Sequence, residues 1–153
     1  MAVKPIPDGY HSVTPYLILD DAARALEFYK KAFGAVELMR MQAPGGRIGH
    51  AEIRIGNSPI MLADENPQMN AKSARSFGGS SVSLMVYVDN VDAMVAQAVA
   101  AGGKLVRPVA DQFYGDRTGG VDDPFGYHWY IATHVEDVPP EELERRAAKA
   151  MAG

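Results

Sequence analysis

The sequence predicts an α+β fold made of two repeated βαβββ modules, which form an incomplete, barrel-like curved sheet around a cavity, with the helices outside. Each half of the chain carries the pattern of a strand, a capped helix, a glycine and then three strands. The two halves align at an offset of 69 residues, which places Asp20 opposite Asp89 and Gly34 opposite Gly103. The fold class depends on this repeat.

The first module is predicted from its capping signals and its alternating strands. Residues 13–19 are apolar and predict a buried strand. Asp20-Asp21 then supplies an N-cap for a helix that ends at Phe33, and Gly34 stands where a left-handed C-cap is expected. Three strands follow, at residues 35–41, 50–55 and 59–63, and the middle one alternates between polar and apolar side chains.

The second module repeats this order after a polar segment at residues 65–81, which is predicted to be a flexible loop. A strand at residues 82–88 leads into a helix that ends at Ala101, and further strands follow at residues 104–109, 116–121 and 127–133. The predicted organisation is an N-terminal extension at residues 1–12, one domain at residues 13–134 with modules 13–64 and 82–134, and a helical tail at residues 135–153.

Composition excludes several classes of function. The chain has 153 residues and no cysteine, so disulfides, thiolate metal sites and thiol nucleophiles are excluded. Its net charge of −4 disfavours nucleic acid as a partner, because binding to phosphates needs clustered Lys and Arg. No apolar run is long enough to cross a membrane, and no signal peptide is apparent, so we expect a cytoplasmic protein without a membrane partner.

Several motifs resemble those of the vicinal oxygen chelate superfamily, which includes glyoxalase I, extradiol dioxygenases and bleomycin resistance proteins. These motifs are the helix from Asp21 to Phe28-Tyr29, the Phe33-Gly34 stop, and Asp123-Pro124-Phe125-Gly126 before the last strand. Three further segments, at residues 14–16, 50–56 and 112–117, resemble the PhnB-like branch. The resemblance covers residues 13–134 and implies the two-module fold. It does not fix the function, because this fold hosts many chemistries.

The resemblance also implies four positions that hold a divalent metal in the metal-dependent members, one from each of four strands. Carried over to this sequence, these positions are Thr14, Met61, Ser83 and Tyr130. Hydroxyl and thioether groups are poor ligands for such ions, so no metal or other cofactor is predicted here. A divalent metal held by displaced ligands such as His50 and Glu52 remains an alternative.

Strand alternation identifies the side chains that share a face with the four positions. The candidate ligand-binding residues are Tyr16, His50, Glu52, Tyr87, Tyr114, Arg117, His128 and Tyr130. His50 and Glu52 are also candidates for acid and base catalysis. Purely structural roles are also open for these residues. His50 and Glu52 could form a surface ion pair, and His128 could be a core or surface histidine whose hydrogen bonds are made within the protein. The tyrosines could fill a core, and Arg117 could form an ion pair with Asp116 that fixes a loop. Trp129 is expected to point the other way, towards the helices.

Three functions are consistent with this sequence. The first is a glyoxalase- or bleomycin-resistance-like protein that binds a small organic molecule in a metal-free cavity. The second is an enzyme of the same superfamily, a lyase, isomerase or dioxygenase with non-standard ligands or a metal-free acid–base catalyst. The third is a structural or regulatory dimer module with a filled core. Relatives in the superfamily commonly build sites from the modules of two chains, so the resemblance also implies a homodimer.

Overall fold

The computed structural model describes residues 2–152 of the chain. Within them the elements follow the predicted order, with boundaries displaced by at most three residues. They are β1 (Tyr16–Leu19), α1 (Ala22–Phe33), β2 (Val36–Gln42), β3 (Ile48–Ile55), β4 (Ser58–Asp64), β5 (Leu84–Tyr87), α2 (Val91–Ala100), β6 (Lys104–Asp111), β7 (Asp116–Asp122), β8 (His128–His134) and α3 (Pro140–Met151).

The strands form two separate four-stranded sheets with the same topology. Sheet one has the order β1-β4-β3-β2 and sheet two has the order β5-β8-β7-β6. In each sheet the first strand of the module pairs in parallel with the last, and the remaining pairs are antiparallel. The predicted α+β class with two βαβββ modules is therefore confirmed, and the sheets do not close into a barrel.

The repeat extends to individual hydrogen bonds. The Ala22 amide donates to Oδ1 of Asp64 at 2.8 Å, and the Val91 amide donates to Oγ1 of Thr133 at 2.9 Å. The two donors are 69 residues apart, and so are the two acceptors. The acceptor is a carboxylate in the first module and a hydroxyl in the second. The helix N-caps and strand registers keep this offset: Asp21 and Asn90 as caps, Tyr16 opposite Met61, and Met85 opposite Tyr130.

Both modules contribute to one hydrophobic core, which lies on the helix side of each sheet. The α1 residues Tyr29 and Phe33 reach across to Trp129 of β8, with ring centroids 5.3 and 4.6 Å apart. Trp129 is fully buried there, which confirms its predicted orientation towards the helices. Because both sheets turn their helix sides into the shared core, their other faces point outward; we call these the open faces. One difference from the prediction follows, since a single chain does not enclose a cavity between its two sheets.

The segment between the modules is anchored at several points. The Glu65 carboxylate accepts from the Ser73 amide at 2.8 Å and from the Ser76 hydroxyl, and these hydrogen bonds lower the pKa of Glu65 to about 2. Arg75 donates to the Pro124 carbonyl at 3.2 Å, which ties the segment to the second module. The flexibility of this segment stays a prediction.

The C-terminal tail forms the predicted helix. Arg146 of α3 donates to the Phe113 carbonyl at 3.1 Å and pairs with Glu136 at 2.8 Å, so the helix docks beside the β6–β7 loop. Among residues 2–152, no helix combines the length and the apolar character that a membrane crossing requires.

Candidate functional site

The open face of sheet one is lined by side chains from all four strands. The register places Tyr16 beside Met61, Met61 opposite Glu52, and Glu52 opposite Met39. His50 lies two residues before Glu52 on β3 and therefore shares this face. The predicted grouping of Tyr16, His50 and Glu52 is present in the structure.

A continuous chain of hydrogen bonds joins these groups. The Tyr10 hydroxyl donates to Oε1 of Glu52, and Oε2 of Glu52 lies 2.8 Å from Nε2 of His50. On the other side of the ring, Nδ1 of His50 lies 2.7 Å from the Tyr16 hydroxyl. The chain runs from a part-buried end at Tyr10 to an exposed end at Tyr16. His50 is therefore oriented from both sides, and the pair of His50 with Glu52 that the sequence left open is present within this chain of hydrogen bonds.

The chemistry of the partners fixes where the protons lie when His50 is neutral. An ionised carboxylate only accepts hydrogen bonds, so Nε2 of His50 carries the ring proton and donates it to Glu52. Nδ1 is then an acceptor, and the Tyr16 hydroxyl donates to it. This direction leaves the lone pairs of the Tyr16 oxygen available to a molecule on the open face. The arrangement is that of a base held by a carboxylate and facing a hydroxyl.

Tyr16 lies at the edge of a cleft of about 440 Å³ that extends beyond the end of sheet one. Arg47, Asn66 and Met69 lie around the same cleft. The Arg47 guanidinium is 3.7 Å from the Asp64 carboxylate, so part of its charge is already compensated. Partial burial raises the pKa of the Tyr16 hydroxyl, which keeps this group protonated at neutral pH.

The open face of sheet two carries a second cluster, around His128 and Tyr130 on β8. Nδ1 of His128 lies 2.7 Å from the Asp122 carboxylate, and the His128 and Tyr130 rings meet edge to face with centroids 4.4 Å apart. The Arg107 guanidinium carbon lies 5.9 Å from the Tyr130 ring centroid, within reach of a cation–π contact. Gly120 forms the floor, since a Cβ there would lie 3.1 Å from Cε1 of His128 and 3.2 Å from Cβ of Arg107.

Tyr87 belongs to a neighbouring network on the same sheet. Its hydroxyl donates to Oδ2 of the buried Asp116 at 2.7 Å, and this hydrogen bond raises the pKa of Tyr87. Nδ1 of His134 lies 2.7 Å from the other oxygen of Asp116, and Nε2 of His134 lies 2.7 Å from Asp137. Hydrogen bonds to Asp116 and Asp137 raise the pKa of His134. This network fixes the orientation of the exposed Tyr87 ring.

Two of the predicted site residues are placed differently from the others. Arg117 does not pair with its neighbour Asp116; its guanidinium donates to Asp92 of α2 at 2.8 and 3.0 Å and to Asp111 at 3.1 Å. Adjacent residues of a strand point to opposite faces, so Arg117 points to the helix side while Asp116 reaches the open face. Tyr114 is exposed in the β6–β7 loop and packs edge to face against Phe113.

The four positions of the superfamily's metal ligands do not offer a ligand set here. Met61 and Tyr130 are in β4 and β8, and Thr14 and Ser83 precede β1 and β5. Across residues 2–152, no group of three or more His, Asp or Glu side chains is arranged to hold a metal ion. The pair named as displaced ligands, His50 and Glu52, directs its polar atoms at each other and at two tyrosines. These residues do not fit a resident divalent metal.

A larger cleft of about 710 Å³ lies between the modules, beside α2, and is lined by Asn90, Gln97 and Tyr87 among others. Its amides already have structural partners. The Asn90 side chain caps α2, and the Gln97 amide donates to the carbonyls of Lys31 and Ala32 at 3.0 and 3.2 Å. These two amides therefore serve the fold, and the cleft meets the open face of sheet two at Tyr87.

Sequence reasoning missed two residues of the open faces. Tyr10 lies in the N-terminal extension, where no periodic pattern predicts its contact with Glu52. Arg107 is on β6, whose pairing with β7 contains two irregularities, so simple alternation does not predict its face. The polar partners Asp122 and Asp137 could have been suspected only from their closeness in sequence to His128 and His134.

With this geometry established, comparison with known proteins decides the family. The model of the glyoxalase/bleomycin resistance protein/dioxygenase superfamily matches residues 10–131. The chain belongs to this superfamily. The match includes Tyr10, which the predicted domain boundary at residue 13 left out. The recognition of the superfamily from its motifs is thereby confirmed.

Individual proteins are similar to this chain in sequence or in fold. The protein Rv0887c of Mycobacterium tuberculosis (strain ATCC 25618 / H37Rv) is 42% identical over 136 residues, which cover 87% of this chain and 80% of that protein. The structure of TioX from Micromonospora sp. ML1 is 27% identical with a TM-score of 0.65, and covers 82% of this chain and 99% of TioX. The PhnB protein from Bacillus cereus shares the fold at 17% identity, with a TM-score of 0.62 and coverage of 80% and 99%.

Proposed function

We propose that this superfamily member binds a small aromatic organic molecule in the cytoplasm, in a metal-free cavity formed between the open faces of two copies of the chain. The observation that carries the proposal is the exposure of aromatic and thioether side chains on both open faces. Tyr16 is 47% exposed, Met85 is 47% exposed and Tyr87 is 60% exposed. Such groups bind the faces and edges of planar ligands while their polar atoms orient them.

A second copy of the chain is the partner that best fits these faces. Within one chain the helix sides of both sheets are buried in the common core, so the open faces cannot cover each other. Two chains related by a two-fold axis can place sheet one of each copy over sheet two of the other, which closes the assembly and makes two equivalent cavities. Each cavity would then combine the Tyr16–His50–Glu52 chain with the Arg107–Tyr130–His128 cluster.

The cluster on sheet two suggests the polar features of the ligand. The Arg107 guanidinium lies over the Tyr130 ring and has no carboxylate partner among the described ion pairs. A carboxylate or other anionic group on the ligand would compensate this charge. Nε2 of His128 is buried and makes no hydrogen bond with residues 2–152, so it is not offered to a ligand on this face. An aromatic molecule with one anionic group therefore fits best.

The first experiment tests the assembly by light scattering at micromolar protein concentration. The wild-type chain is expected to be a dimer, and Met85→Glu is expected to be a monomer, because it places a charge in the centre of the proposed contact. Met151→Glu is the matched control, since Met151 is exposed on the tail helix and lies outside both open faces. A monomeric wild-type chain would overturn the proposed assembly.

The second experiment tests the cavity with 2-naphthoate as the probe, measured by equilibrium dialysis. Binding is expected in the wild-type protein, and Arg107→Gln is expected to weaken it about tenfold, the size of a lost charge-assisted hydrogen bond. Arg145→Gln is the control, because Arg145 pairs only with Glu142 on the tail helix. Wild-type protein that is dimeric but binds no naphthoate, before and after treatment with a chelator, would contradict an aromatic site.

A further inference from the structure

The most reactive arrangement on either open face is the hydrogen-bonded chain Glu52–His50–Tyr16. Its two links measure 2.8 and 2.7 Å, which are the distances of well-formed hydrogen bonds. The chain ends at the Tyr16 oxygen, which is exposed and borders the cleft next to sheet one. A carboxylate, an imidazole and a hydroxyl in this order can move a proton in one direction.

We infer that Tyr16, His50 and Glu52 form a proton relay that takes up the proton of a hydroxyl on the bound molecule, so that a phenol or enol is held as its anion. The inference rests on the proposed function, because it assumes that a small molecule occupies this face. It assigns a substrate class to the site, namely hydroxylated aromatic or enolic compounds. The assignment comes from Tyr16, His50 and Glu52, and not from the four positions of the family's metal ligands.

The proton balance of this step involves three groups. The ligand O–H donates to the Tyr16 oxygen, and its proton passes to Tyr16 as the Tyr16 proton passes to Nδ1 of His50. The products are the ligand oxyanion, which accepts a hydrogen bond from the neutral Tyr16 hydroxyl, and an imidazolium, which donates from Nε2 to the Glu52 carboxylate. No other reactant is needed, and no net charge is created, because the negative ligand and the positive ring appear together.

The surroundings favour this charge distribution. The Glu52 carboxylate accepts a hydrogen bond from Tyr10 and lies 2.8 Å from Nε2 of His50, so it is next to the imidazolium that the relay forms. The other described titratable groups beside the cleft are Arg47, Asp64 and Glu65, of which Arg47 can attract the ligand oxyanion. On the β2 side, Met41 lies opposite His50 and Met39 lies opposite Glu52, so no charged side chain of β2 is in register with either group. Tyr16 is the group that contacts the ligand, and His50 and Glu52 act through it.

The test uses 1-naphthol, whose anion absorbs at longer wavelength than the neutral molecule, and its methyl ether, which has the same rings but no hydroxyl proton. Binding of both probes to the full-length protein is measured by equilibrium dialysis, and ionisation of the bound naphthol is read from its spectrum. At a pH where the probe in solution is almost wholly protonated, the wild-type protein is expected to raise the anionic fraction of bound probe about tenfold, which is one pKa unit.

Three variants separate the relay from simple binding. Tyr16→Phe keeps the ring, so both probes should still bind while the spectral shift disappears. His50→Gln should also abolish the shift, and Glu52→Gln should reduce it. His11→Gln, at an exposed histidine without side-chain partners among the described hydrogen bonds, is the matched control and should leave the shift unchanged. Circular dichroism shows whether each variant is folded.

The outcomes distinguish the relay from the proposed function. Binding of both probes without a shift, or a shift that persists in Tyr16→Phe, would overturn the relay and leave the aromatic site intact. Failure of wild-type protein to bind naphthoate, the naphthol and the ether would overturn the site and the relay together. Binding with a shift that is lost in Tyr16→Phe and His50→Gln but kept in His11→Gln would support both.

Discussion

Asp123 is the residue whose loss we expect to damage the fold most. It is the aspartate of the Asp123-Pro124-Phe125-Gly126 motif, and it is almost fully buried in the turn between β7 and β8. Oδ1 accepts from the amides of Phe125 and Tyr127 at 2.8 and 2.9 Å. Oδ2 accepts from the Tyr29 hydroxyl at 2.6 Å and from the Trp129 indole at 2.9 Å. One carboxylate therefore joins α1 of the first module to the last turn of the second.

The cost of removing this carboxylate follows from its four donors. Each buried donor left without a partner costs about 1–3 kcal/mol, although water entering the space restores part of this. We therefore expect Asp123→Ala to lower the free energy of unfolding by about 3–5 kcal/mol, a large share of the stability of an ordinary domain. Asp123→Asn keeps one acceptor oxygen for the two amides, and the Tyr29 hydroxyl can turn to accept. Only the Trp129 N–H then faces another donor, so about 1–3 kcal/mol should be lost.

Equilibrium unfolding in urea measures both values. Trp129 is the only tryptophan of the chain, and its burial beside Asp123 makes its fluorescence a direct reporter, with circular dichroism as a second probe. Protein concentration is held constant, because dimerisation would change the apparent stability. Asp89→Ala, at an exposed aspartate, should change the free energy by no more than about 0.5 kcal/mol. A loss below about 1 kcal/mol in Asp123→Ala would refute the reasoning.

Three further predictions concern other contacts. Gly103→Ala should cost about 1–3 kcal/mol in the same unfolding assay, because its Cβ would lie 2.6 Å from Cγ1 of Val121 and 2.9 Å from the Ala98 carbonyl oxygen; unchanged stability would contradict this. Thr133→Val should cost about 1 kcal/mol, since it removes the acceptor of the first α2 amide while keeping the shape. The pKa of His134, followed by NMR, should exceed that of an ordinary histidine and fall towards it in Asp116→Asn. Because the pKa of His134 is raised in the folded state, the ion pairs of His134 stabilise the fold at pH values below the ordinary histidine pKa, and this stabilisation is lost as the pH rises through the folded-state pKa. A His134 pKa that Asp116→Asn leaves unchanged would disprove this prediction.

The helix boundaries could be predicted because their signals are local. Asp21 caps α1 through the Arg24 amide, and Gly34 adopts the left-handed conformation with φ of 67°. The repeat was also readable, since an offset of 69 residues relates both the sequence signals and the hydrogen bonds that start α1 and α2. Each of these depends on a few residues that are close in sequence or in a fixed register.

The contacts of the candidate site could be predicted only in part. Alternation along β3 and β1 is sufficient to place His50, Glu52 and Tyr16 on one face, and the structure confirms that they meet. The pair with Asp116 that was left open for Arg117 is absent, because neighbouring residues of a strand point in opposite directions and Arg117 donates to Asp92 instead. Tyr10 could not be predicted, since its segment has no periodicity and its partner is 42 residues away.

The location of the polar groups explains how one scaffold can support different chemistry. The superfamily's metal ligands project from the strands that here carry Met61 and Tyr130, and neither side chain is a good ligand. The register places Glu52 directly opposite Met61, on the adjacent strand of the same open face. The Glu52 carboxylate is held there by His50 on its own strand and by Tyr10. The proposed site would therefore accept protons from ligand oxygens directly, where a metal centre would polarise those oxygens through a cation.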